Sequence, residues 1–89
     1  MIPIKEAVEN AVRFARGVLD SARTASIMLE EVESGIVGGG NEVWLITLSL
    51  PDPDYPLRLS GSRQYKTFTV DGQTGEVLSM KIRQPSGVT

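Results

Sequence analysis

Apolar positions recur along the first twenty residues at the spacing of a helix. Ile4, Ala7, Val8, Ala11, Val12, Phe14, Ala15, Val18 and Leu19 fall at i, i+3, i+4 and i+7, while Lys5, Glu6, Glu9, Asn10, Arg13, Arg16 and Asp20 occupy the opposite side. This pattern predicts an amphipathic helix from about residue 3 to about residue 20. Pro3 suits its first turn, where the missing N–H has no intrahelical partner to lose. Glu6 and Glu9 sit near the positive end of the helix dipole and Arg13 and Arg16 nearer the negative end, each an interaction of a few tenths of a kcal/mol at an exposed site. Gly17 weakens the last turn, and its small size is expected to let the helix lie close to a sheet.

Beyond the helix the period shortens to two. Ala25 to Glu33 reads as a strand with Met28 and Val32 on one face and Ile27 and Leu29 on the other, a helix being the alternative because Glu30 and Glu31 interrupt the alternation. Ser34 to Asn41, with Gly38, Gly39 and Gly40 in succession, reads as a turn or flexible loop. Glu42 to Leu50 is the most apolar strand. Trp44, Ile46, Leu48 and Leu50 line one of its faces and Val43, Leu45, Thr47 and Ser49 the other, which predicts an interior strand with the tryptophan face toward the helix.

Pro51 withholds a ladder donor and ends that strand. Residues 51–63, with Pro51, Pro53 and Pro56 among them, read as a long exposed connection of the kind that often carries function. Tyr65 to Arg83 then predicts a hairpin: Lys66, Phe68 and Val70 share a face, Leu78, Met80 and Ile82 do the same after the turn, and Asp71 to Gly75 close it. Gly72 and Gly75 are expected to supply positive φ, and Asp71 to bond its own turn. Gln84 to Thr89 is expected to fray.

The resulting order is one helix (about 3–20) and four strands (about 25–33, 42–50, 64–71 and 76–83) in a single domain, residues 1–89. Its fold class is α+β, an N-terminal helix packed on a four-stranded antiparallel meander. One helix covers only one face. The other carries Val43, Leu45, Tyr65, Thr67, Thr69, Val77, Ser79 and Lys81 on this register, a surface half dressed for water.

Composition narrows the chemistry. The 89 residues include no cysteine and no histidine, which excludes disulfides, thiolate zinc sites and every mechanism built on serine–histidine, cysteine–histidine or histidine–metal pairs. Net charge is -2 and the nine basic residues are scattered from Lys5 to Arg83, so the basic stripe that nucleic-acid binding requires is missing. No apolar run exceeds four residues, too short for a membrane span. The absence of cysteine and of an apolar leader points to the cytoplasm, or to export if a leader has been removed.

An N-terminal helix with alanines spaced as in EAVENAVRFA, an extended middle and the closing YKTFTVDGQTGEVLSMKI together resemble the PepSY domain. That family's last hairpin carries a valine–aspartate, a short loop and Thr-Gly-Glu-Val, positions filled here by Val70, Asp71, Thr74, Gly75, Glu76 and Val77. The resemblance covers most of the chain, and about ten residues carry its specific part. It implies a cystatin-like arrangement of a helix on a curved antiparallel sheet and a binding or inhibitory role, and it carries over no catalytic residue.

Other constellations give less. Asp52, Asp54 and Asp71 lack the alternating register and closing glutamate of a calcium loop, so no metal is predicted. Glu30, Glu31 and Glu33 read as edge-protecting charges in preference to an acid–base pair. The 34–41 segment has neither the lysine and hydroxyl of a P-loop nor a dinucleotide fingerprint, and no cofactor-binding residue is predicted. Trp44 reads as core. Tyr55, Arg58 and Arg63 are the predicted partner-contact residues, being of the types in which binding energy concentrates and lying in the proline-stiffened stretch. Acids on the first strand and Lys81 and Arg83 on the last would allow association of copies, or of a partner strand, through the sheet edges in a salt-sensitive way. The functional expectation is a small non-enzymatic protein-binding or inhibitory module. A small-molecule or peptide-binding accessory protein using the uncovered sheet face is the alternative, and a neutraliser of a toxin or foreign effector a third reading.

Overall fold

The computed structural model describes residues 1–19, 21–51 and 63–83. Helices α1 (Ile4–Val18) and α2 (Ser21–Thr24) precede strands β1 (Met28–Val37), β2 (Asn41–Pro51), β3 (Arg63–Asp71) and β4 (Val77–Arg83). The strands lie side by side in the order β1-β2-β3-β4, each antiparallel to the next. This is the α+β meander that the periodicities predict. The single turn of α2, in a stretch read as a plain connection, is closed by the Thr24 hydroxyl donating to the Ser21 carbonyl at 3.2 Å.

Helix α1 meets the sheet through alanine. Ala7, Ala11 and Ala15, one per turn, are fully buried in one cluster with Ile46, Leu48, Phe68 and Val70, because a side chain no longer than a methyl lets the helix backbone settle onto the strands. Phe14 flanks this stripe and meets the Phe68 ring edge to face at 6.3 Å, the geometry that aromatic quadrupoles favour. Gly17 plays no part in the approach: a Cβ there would meet nothing within 4 Å.

Two β-bulges correct the predicted faces. In β1 the register shifts between Leu29 and Glu31, so Leu29 opposes Leu48 and Val32 opposes Ile46 on the helix side, while Met28 opposes Ser49. Leu29 and Val32 therefore share the face, not Met28 and Val32. The extra residue absorbs the consecutive acids that spoil the alternation, since a bulge sets two residues against one. In β4 a second shift brings Val77, not Leu78, opposite Val70. Val77 packs against the core and Leu78 is 47% exposed.

The glycine-rich stretch is also more ordered in pattern than its composition suggests. β1 continues to Val37, which pairs with Asn41, and only Gly38 to Gly40 turn, with φ of 59° at Gly39 and 92° at Gly40. Here the ladder to Val43 and Trp44 overrides the turn propensity of Ser34 and Gly35. Pro51 and Arg63, expected in the connection, are instead the paired ends of β2 and β3.

The β3–β4 turn is the point where the fold is tied together. Asp71 accepts from the backbone N–H of Gln73 at 2.7 Å and of Thr74 at 3.1 Å through its side chain, and its own N–H donates to the Glu76 carbonyl at 2.8 Å. Gly75 takes a φ of 80°, as predicted. Gly72 does not have positive φ; its need is for space, because a Cβ would lie 2.6 Å from the Glu42 carbonyl oxygen, to which its N–H donates. The N-terminus docks on this turn. Ile2 N–H donates to the Gly72 carbonyl at 2.7 Å, Trp44 Nε1 donates to the Ile2 carbonyl at 2.9 Å, and Asn10 Nδ2 donates to the Gly75 carbonyl at 3.0 Å.

Candidate functional site on the uncovered sheet face

Among the described residues no element packs on the face opposite α1. Its rows follow from the register: Met28, Ser49, Tyr65 and Arg83 form one, Glu31, Thr47, Thr67 and Lys81 the next, and Glu33, Leu45, Thr69 and Ser79 a third. Alternation sends these side chains away from the helix; along β2 Val43, Thr47 and Ser49 are buried on this face, while Glu31, Glu33 and Lys81 on the edge strands are exposed.

Internal hydrogen bonds tie the floor of this face around Thr47, Ser49 and Thr67. Thr47 and Thr67 share a bond between hydroxyls at 3.2 Å. Ser49 donates to Glu30 Oε2 at 2.6 Å and accepts from Arg63 Nε at 2.8 Å. Arg63 also donates through Nη2 to the carbonyls of Ser49 at 2.9 Å and of Ser26. One guanidinium thus ties the starts of β1 and β3 to the end of β2, a use of its fixed fork of donors that lysine could not reproduce.

Above that floor runs an ion pair. Arg83 on β4 donates through Nη1 to Glu31 Oε1 on β1, although the two strands are the opposite edges of the sheet. Three inter-strand gaps amount to roughly 14 Å, so both side chains must lie across the face, over β2 and β3, to meet. Their aliphatic stems roof the central strands, consistent with Thr47 being only 3% exposed. The charged ends stay wet, with Arg83 47% and Glu31 46% exposed. Beside this strap opens a cleft of about 410 Å³ lined by Glu30, Glu31, Tyr65 and Arg83. With Arg63 at its margin, the region presents two carboxylates and two guanidiniums, balanced in charge.

Arg63 is the one predicted contact residue that the structure describes, and it holds strands together from the end of β3. Tyr55 and Arg58 lie outside the described residues, as do Asp52 and Asp54 and the 84–89 tail. The cleft residues were placed by the sequence on strands, Tyr65 on the uncovered face and Glu31 and Arg83 on opposite edges, without being joined into a site. The available signal was the pair of consecutive acids: in a strand it marks a bulge, and a bulge puts both carboxylates on one face. Chemically, the arrangement supplies hydrogen-bond acceptors, a guanidinium and a phenol around a shallow recess. The Thr47 and Thr67 hydroxyls are engaged with one another, and the Ser49 hydroxyl, which donates to Glu30, is fully buried. Among the described residues no three aspartates or glutamates converge as a metal cage, and no helix is long and apolar enough to cross a membrane.

No family model matches the chain, nor does any curated protein or any solved structure.

Proposed function

We propose that the protein is a small non-enzymatic binding module that receives a protein partner on the uncovered sheet face, at the cleft beside the Glu31–Arg83 strap. The observation that carries this reading is the strap itself. An ion pair this exposed is worth about 0.2–1 kcal/mol, so a partner carboxylate can take Arg83, or a partner cation Glu31, at little cost. Tyr65 and Arg83 are of the types in which interface energy concentrates, and the hydrogen-bonded floor beneath them is ordered before any partner arrives, which lowers the entropy lost on binding. The resemblance to PepSY domains, with the binding or inhibitory role it implies, supports the same assignment.

A second reading, a small-molecule or peptide-binding accessory protein, is favoured by the size of the cleft, which falls in the range of small-ligand sites of roughly 300–1,000 Å³.

Capture from host lysate on the immobilised chain tests the assignment when run with variants in parallel: Tyr65→Ala with Arg83→Ala, Tyr55→Ala with Arg58→Ala, and Arg16→Ala on the exposed side of α1 as a control. A stoichiometric protein lost only with the Tyr65 and Arg83 variant is the expected result. Loss confined to the Tyr55 and Arg58 variant moves the contact to residues 52–62, and a protein retained on all variants overturns the cleft as its site. A copurifying small ligand with no protein favours the second reading.

A further inference from the structure

The two edges of this sheet fit each other. We propose that β4 of one copy takes β1 of a second copy as its next strand, extending the sheet head to tail and leaving the cleft face free.

Three observations converge on that surface and that partner. The first is topological. Four strands alternate in direction, so β1 and β4 run opposite ways, and copies related by translation meet antiparallel at every junction with all helices on one side. Among the described residues nothing pairs with the outer side of either strand.

The second is the register. Continuing the rows of the sheet without any shift sets Lys81 beside the next copy's Glu31, Met80 beside Val32 and Ser79 beside Glu33, with Glu33 diagonal to Lys81. Opposite charges then face one another on the uncovered side and apolar side chains on the helix side, both of which stabilise neighbouring strands. Three consecutive rows, Glu31 to Glu33 against Lys81 to Ser79, lie between the two bulges and are regular, and the shift in β1 separates them from the row of Leu29 and Ile82.

The third is exposed apolar surface at both ends of the proposed contact. Leu29 on β1 is 50% exposed and Ile82 on β4 58%. Both point to the helix face beyond the reach of the buried alanine stripe, and both occupy the same row of the sheet, so the junction brings them together. The intrachain Glu31–Arg83 pair persists there, since Glu31 retains its own Arg83 and gains Lys81 of the neighbour. Among the described residues Lys81 and Glu33 form no ion pair, and they carry the complementarity. Because β4 meets β1 and never itself, the contact is heterologous, and copies stacked by translation with no closing rotation grow as an open array.

Sedimentation of the full chain across a concentration series at low and high salt tests this, with two charge reversals. The wild-type chain should gain mass continuously with concentration, and association should weaken at least about tenfold between roughly 20 mM and 500 mM salt as screening shortens the range of the charges. Lys81→Glu, which opposes like charge to both Glu31 and Glu33 of the next copy, should remain monomeric, and Glu33→Lys, which keeps the Lys81–Glu31 contact and reverses only the diagonal one, should associate more weakly than the wild-type chain. Both are surface changes checked for folding by circular dichroism. Mixing them should restore at least a heterodimer, because the unaltered Lys81 of the Glu33→Lys chain meets the unaltered Glu31 and Glu33 of the Lys81→Glu chain. A wild-type chain monomeric at every concentration overturns the proposal. So does a closed dimer that reaches a mass plateau, or association that survives both reversals.

Discussion

The hydrogen bond from Asn10 to the Gly75 carbonyl joins helix α1 to the β3–β4 turn, and its weight can be isolated with Gly75→Ala. At a φ of 80° an L-residue is disfavoured by roughly 1–2 kcal/mol. A Cβ at Gly75 would also stand 2.8 Å from Asn10 Nδ2, pushing that side chain off the carbonyl it holds at 3.0 Å; losing such a bond costs about 0.5–1.5 kcal/mol. The single substitution should therefore destabilise by roughly 2–3 kcal/mol, less whatever the alanine gains by stiffening the unfolded chain, about 0.4–1 kcal/mol. Asn10→Ala alone should cost about 1 kcal/mol, reduced by alanine's better helix propensity. In the double variant the same bond is lost only once, so its cost should fall short of the sum of the singles by about 1 kcal/mol. Propensity and unfolded-state terms cancel in that cycle, which makes the coupling firmer than either single value. Urea unfolding followed by circular dichroism measures it, and each kcal/mol should appear as a melting shift of about 4–8 °C in a domain of this size. Additivity within about 0.3 kcal/mol would refute the claim that the turn rests on Asn10.

The bulge in β4 predicts that Val77→Ala destabilises by about 1 kcal/mol or more while Leu78→Ala changes stability by less than about 0.5 kcal/mol; equal effects on the unfolding midpoint would contradict the register. Arg63→Ala, by removing the donors to the buried Ser49, whose hydroxyl keeps its bond to Glu30, and to the Ser26 carbonyl, should cost about 1–3 kcal/mol and increase amide exchange at the start of β1, with protection near Gly75 unchanged. Glu31→Gln should lower stability by no more than about 1 kcal/mol, and the difference from the wild-type chain should shrink as salt is added; a loss that is larger and indifferent to salt would show that the strap is not a solvated ion pair.

Long, regular signals were legible in the sequence. The i, i+4 alanines of α1 and the alternation of β2 and β3 are local patterns with one low-energy partner each, so helix, interior strand and hairpin followed directly, as did the existence of an uncovered face. What failed depended on contacts between distant segments. Whether Leu78 or Val77 faces the helix is decided by a one-residue bulge, and a slip of one residue inverts a strand. Ser34 to Val37 has turn composition yet joins β1, because the ladder to β2 satisfies its backbone groups. Gly72 was assigned a conformational role when its constraint is the Glu42 carbonyl, thirty positions away in the chain. The cleft was hidden for the same reason: Glu31 and Arg83 are 52 positions apart and on opposite edges, and only the sheet brings their side chains to one point. Arg63 was singled out as a partner contact because of its residue type and its place beside a proline-rich stretch, whereas the three acceptors it holds, on Ser49 and Ser26, lie within the protein.

Amide chemical-shift mapping bears most directly on the uncovered face as the binding surface. The labelled chain would be titrated with the partner recovered by capture. Changes should concentrate at Glu30, Glu31, Tyr65 and Arg83 and at the Thr47 and Thr67 pair beneath them, with α1 unaffected. Changes centred on α1, with the cleft residues unmoved, would contradict the account.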